Sequence, residues 1–142
     1  ICRWSVPRNS YPMDRAGYLR WRNALKEFHA LKGGELLQRA GYDEATIGRV
    51  KALVSKKLFP TDPEARVLED ALCLVFLEFQ LADFDARTAA DKVVNALRKA
   101  WGKMTPQARA EALKLPYDAA QQKLIAEALS SPSDASSHQQ PE

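Results

Sequence analysis

Cysteine, histidine and glycine are all scarce in this chain, at two, two and six residues in 142. Cys2 and Cys73 stand alone without CxxC spacing, which excludes a disulfide framework and a thiolate zinc site. Cys73 falls inside an apolar run and reads as a buried free thiol. His138 sits in a polar tail, so His29 is the one histidine within a helical pattern, too few for a site built on several imidazoles. Gly33 and Gly34 have no GK[ST] sequel, and no GxSxG is present, which removes the phosphate loop and the nucleophile elbow. The longest apolar run, Ala71 to Leu77, is too short to span a bilayer, and no secretory signal is present. A reducing, cytoplasmic setting is the default expectation. The formal charge of +3 is too small for a general nucleic-acid binder. There is room for one domain that buries roughly two-thirds of its unfolded surface.

What is present is a run of helical signals. Residues 1–13 read as irregular, because Pro7 and Pro12 bias their preceding residues away from helix. Asp14 predicts an N-cap, followed by a long helix to about Ala40 that Gly41 closes. Gly33 and Gly34, adjacent within this pattern, predict a kink or a close helix contact, and the place of Gly33 on the His29 stripe favours the contact. Asp43 caps a second helix, Glu44 to Lys57, with Ile47, Val50, Leu53 and Val54 as its apolar side. Asp62-Pro63 starts a third that runs to about Phe84 and is apolar nearly all round, which predicts a buried helix at the centre of a bundle. A fourth covers Ala89 to Gly102 with Val93, Val94, Leu97 and Trp101 on one face. Thr105-Pro106 opens a short fifth that ends by Pro116, and a sixth covers Asp118 to Leu129. The expectation is one all-α domain over 1–129 and a disordered polar tail over 130–142.

The chemistry-bearing stretch is RWSVPRNSYPMDRAGYLRWRNALKEFH, where arginines alternate with aromatics and Asp14 is the only acid before Glu27. Helical spacing puts Arg15, Tyr18, Arg22 and His29 on one stripe, continued by Leu25 and Leu36. A core-facing arginine needs a carboxylate partner or an anion. Asp70 and Glu78 also stand among apolar positions of the third helix. Three readings follow from these residues. One is an Arg–carboxylate network of Arg22 with Asp70 or Glu78. Another is a metal site on His29 and Asp70. The third is an anion site in which Arg8, Arg15 and Arg22 fork onto phosphate beside Tyr18. Arg20 points away from that stripe, and Lys56 and Lys57 close the second helix where its dipole favours cations.

The segments ICRWSVPRNSYPMDRAGYLRWRNALKEFHA, LLQRAGYDEATIGRV and LEDALCLVFLEFQLADF together resemble a conserved family described only as a domain of unknown function, over about residues 1–115. That family is itself similar to HD-type metal phosphohydrolases, which are all-helical. FHALKGGELLQRAGYDEATIGRV resembles the helix pair after the HD dyad, and EARVLEDA the segment that supplies the last metal-binding Asp. The resemblance implies an HD-like bundle whose first helix or helices precede Ile1, with His29 and Asp70 as the two positions that carry over as metal ligands. Where paired histidines often end the second helix, this chain has Lys56 and Lys57. The leading expectation is binding of a small phosphorylated or anionic ligand between the first and third helices, by Arg8, Arg15, Tyr18 and Arg22. Phosphoester hydrolysis with a divalent metal is expected only of a longer protein. The alternative is a non-catalytic structural or protein-interaction module. No residue is assigned a catalytic role.

Overall fold

The computed structural model describes residues 3–130, and among them every regular element is helical. Ile1, Cys2 and residues 131–142 lie outside the described residues, and with them most of the tail expected to be disordered, including His138. The chain forms two compact units, divided within the third helix between Ala65 and Arg66.

In the N-terminal unit two 3-10 turns, Arg3–Ser5 and Arg8–Ser10, lead into α1, Arg15–Arg39. Asp14 caps α1 as its position predicts, its Oδ1 accepting from the Gly17 N–H at 2.6 Å. The helix ends at Gly41, which takes a φ of +83° that an L side chain resists. There the Gly41 and Tyr42 N–H groups reach back to the carbonyls of Gln38 and Leu37, the paired bonds of a Schellman motif. The Gly33–Gly34 pair lies within α1, which runs on as one helix. Gly34, and not Gly33 on the His29 stripe, makes the close contact: a Cβ there would lie 2.9 Å from Cδ of Lys51 on α2, whereas a Cβ on Gly33 meets nothing.

Helix α2, Glu44–Val54, packs against α1 and is capped by Asp43, which accepts from the Thr46 N–H and hydroxyl. It stops three residues short of the expected Lys57, because Lys56 adopts a left-handed φ of 59°. Arg49 ties α2 to the start of α3 (Pro63–Val75). Its guanidinium donates to Asp62 and Glu64, each at 2.6 Å, while Asp62 also accepts from the Ala65 N–H. The Arg49 guanidinium, and then the Ala65 amide, hold the Asp62 carboxyl below its ordinary range.

The C-terminal unit holds the rest of α3, a π-turn at Phe76–Gln80, α4 (Leu81–Asp85), α5 (Ala90–Lys103), α6 (Pro106–Ala112) and α7 (Ala119–Ser130). The segment expected as one helix over Asp62–Phe84 is therefore interrupted. In a π-turn the hydrogen bond spans one extra residue; Cys73, Leu77 and Leu81, neighbours on one face by their four-residue spacing, are buried together. Val93, Val94 and Leu97 of α5 meet that face, with Met104, Ala108, Ala112 and Ala128 completing the core. Cys73 is buried as expected, its Sγ donating to the Ala100 carbonyl. The prediction of a helix buried all round is corrected: Val67 and Phe79 are 68% and 70% exposed, and Leu72 and Val75 are exposed beside them. Apolar residues outnumber the positions that one face can cover, and the surplus stays in solvent.

Candidate functional site

The N-terminal segment is fastened to the first turns of α1 by its own aromatics and arginines. Trp21 is buried, and its Nε1–H donates to the Val6 carbonyl at 2.8 Å. The Arg3 guanidinium lies 4.9 Å over the same indole, a cation–π contact. Arg8 donates to the carbonyls of Tyr11 at 3.0 Å and Asp14 at 3.3 Å, bridging the irregular chain to the cap of α1. Gly17 is where the segment touches the helix, since any Cβ there would overlap the Pro12 carbonyl. Together Arg3, Trp4, Val6, Pro7, Arg8 and Trp21 wall an open groove of about 380 Å³.

The same packing decides which face of α1 is wet. The buried positions are Gly17, Trp21 and Leu25, then Ala30 and Gly34. Arg15, Tyr18 and Arg22 lie on another stripe and are exposed, so the core-facing direction predicted for these arginines is corrected. The indole offers more apolar surface to bury than a guanidinium, and the register of the helix follows Trp21. Leu36, expected to continue the stripe into the core, is also exposed. At about 100° per residue Arg15 and Arg22 fall within about 20° of each other, and Tyr18 lies between them and Trp21. The Tyr18 and Trp21 rings are 5.9 Å apart. Neither Arg15 nor Arg22 has an ion-pair partner among the described residues.

His29 continues along α1. Its ring lies 6.0 Å from that of Phe28, and its Nε2 is buried without a hydrogen-bond partner. Lys57 is exposed and pairs with Glu27 at 3.3 Å.

Asp70 belongs to the C-terminal unit, where it is half-buried and does structural work. One carboxylate oxygen accepts from the Thr105 N–H at 2.8 Å and the other from the Thr105 hydroxyl at 2.6 Å. Thr105 in turn caps α6 by accepting from the Ala108 N–H. The cation or metal expected on Asp70 is thus replaced by an amide and a hydroxyl. The buried acid is its neighbour Glu69, whose Oε1 accepts from Lys103 Nζ at 3.0 Å. The chemistry of these donors does not fit the implied metal: both Asp70 oxygens are engaged, and no cluster of three or more His, Cys, Asp and Glu gathers among the described residues. Sequence reasoning also missed Gly17 and Trp21 as the fasteners of the site. A signal was available in the small–aromatic–apolar spacing of Gly17, Trp21 and Leu25.

The family model described as a domain of unknown function (DUF4202) matches residues 1–125, and the chain belongs to that family. No curated protein and no solved structure matches the chain. No helix among the described residues is long and apolar enough to cross a membrane.

Proposed function

From that family membership, which assigns no activity, we propose that the N-terminal unit binds a small phosphorylated or otherwise anionic ligand on the α1 face of Arg15, Tyr18 and Arg22. One observation carries the reading: two guanidinium groups share one exposed stripe, and neither has a carboxylate partner among the described residues. They stand about 10 Å apart along the axis, a span that a phosphate-bearing molecule bridges with its forked acceptors. Arg8 holds backbone carbonyls and acts as a positioning residue for the segment.

The likeness to HD-type phosphohydrolases belongs to the same reading. In that family a metal polarises the phosphoryl oxygen and activates water. Of the two positions that carry over, His29 and Asp70, the second has both carboxylate oxygens engaged by Thr105, and no hydrolytic step is derived for this chain. A longer protein that brings further ligands is where hydrolysis is proposed.

The test is calorimetric titration of pyrophosphate and ribose 5-phosphate into the wild type, Arg22→Ala and Arg20→Ala. Arg22→Ala is expected to lose about tenfold in affinity, as for one charge-assisted contact. Arg20→Ala, on another face, is expected to match the wild type. Negligible binding by all three proteins, with circular dichroism unchanged, ends the anion reading.

The second reading, a non-catalytic interaction module, draws on a separate observation. Leu72, Val75 and Phe79 are exposed at three- and four-residue spacing along α3 and the π-turn. A change of oligomeric state by light scattering in Phe79→Ser would favour it.

A further inference from the structure

Trp4 is 78% exposed, yet its backbone is held on both sides. It sits in the Arg3–Ser5 turn, closed by the Val6 N–H on the Arg3 carbonyl at 3.1 Å. Arg3 on one side stacks on Trp21, and Val6 on the other accepts from its indole. A large ring in solvent on a fixed backbone is a platform whose ordering cost has already been met by folding. Trp4 walls the groove together with Trp21. The groove adjoins the arginine stripe through Tyr18, whose ring contacts Trp21. Arg3 holds its guanidinium over the indole and makes no hydrogen bond among the described residues, which leaves its N–H groups available to an acceptor.

We infer that the anion held by Arg15 and Arg22 also carries a flat aromatic or heteroaromatic ring, and that this ring stacks on Trp4 in the groove. The inference rests on the anion reading above and narrows its ligand to the phosphate esters of ring-bearing molecules. A purely aliphatic phosphate would use the arginines and leave the groove empty. A ring-bearing phosphate engages both, and a ring stacked on an aromatic side chain adds about fivefold or more to affinity.

The experiment compares AMP with ribose 5-phosphate, which differ by the ring, against wild type, Trp4→Ala and Arg22→Ala by calorimetry on the full chain. The exposed Trp4 makes no core contact that its removal would undo, and circular dichroism checks the fold. AMP is expected to bind the wild type at least about fivefold tighter than ribose 5-phosphate. Trp4→Ala is expected to erase that preference while leaving ribose 5-phosphate unchanged, and Arg22→Ala to weaken both. Equal affinities for the two probes in the wild type, or an AMP preference that survives Trp4→Ala, overturns the ring subsite. If Arg22→Ala still weakens binding in that case, the anion reading stands without it. Absence of binding by either probe overturns both.

Discussion

Removing the Asp70 carboxylate tests the assignment of this residue to the fold. Its two oxygens hold the Thr105 amide at 2.8 Å and the Thr105 hydroxyl at 2.6 Å, joining α3 to the start of α6 across 35 residues of sequence. Hydrogen bonds to a charged group contribute about 1.5–3 kcal/mol each, and half-burial places these at the lower end. Asp70→Ala is therefore expected to cost about 2–3 kcal/mol. Thr105→Val loses the hydroxyl contact and the cap on Ala108 but keeps the amide bond, at about 1–2 kcal/mol. The double variant should then fall short of the sum by about 1 kcal/mol, because the hydroxyl contact is counted twice. Urea unfolding followed by circular dichroism measures the three losses, and amide hydrogen exchange reads the Thr105 N–H directly. Exchange there should accelerate by at least about tenfold in Asp70→Ala, with the amides of α1 unchanged. A loss below about 0.5 kcal/mol with unaltered exchange at Thr105 would refute the bracket. It would return Asp70 to the list of candidate ligands.

Four further outcomes are expected. Gly17→Ala should destabilise the N-terminal unit by about 2 kcal/mol or more, because its methyl overlaps the Pro12 carbonyl. Gly33→Ala, with open space around its Cβ, should stabilise by about 0.5–1 kcal/mol, and thermal melts of the pair separate steric from propensity effects. Arg49 holds the folded Asp62 carboxyl below its unfolded value, so this contribution to stability is complete above the ordinary carboxylate range and is lost as pH falls from there through the lower folded value. The stability gap between wild type and Asp62→Asn should accordingly close in acid, and a gap that persists there in urea titrations at stepped pH would contradict the pairing. Leu81, fully buried, should cost about 2–5 kcal/mol on replacement by alanine, measured by the same unfolding series.

The all-helical class, the caps at Asp14, Asp43 and Thr105, the Asp62-Pro63 start and the closure at Gly41 were legible in the sequence. So were the apolar face of α5 and the burial of Cys73. Each of these depends on a residue and its neighbours within one or two turns, which is the range over which caps, prolines and helical periodicity act. The site was legible only as a composition: arginines alternating with aromatics ahead of and along α1.

Direction and pairing were decided by tertiary structure. Periodicity places Arg15, Tyr18 and Arg22 on one stripe, but it does not say whether that stripe or the one through Trp21 meets the rest of the unit. Burial of the indole, its bond to Val6 and the fit of Gly17 against Pro12 settle that. Cys73, Leu77 and Leu81 share one face by their four-residue spacing, but that this face is the buried one while Val75 and Phe79 stay in solvent was set by the packing of α5 against it. Asp70 found Thr105, a residue 35 positions away that no local rule connects to it. Local chemistry fixes where helices begin and end because its forces act within a few residues. Which faces are buried depends on competition among distant segments for a limited apolar interior, and that competition is resolved only when they pack.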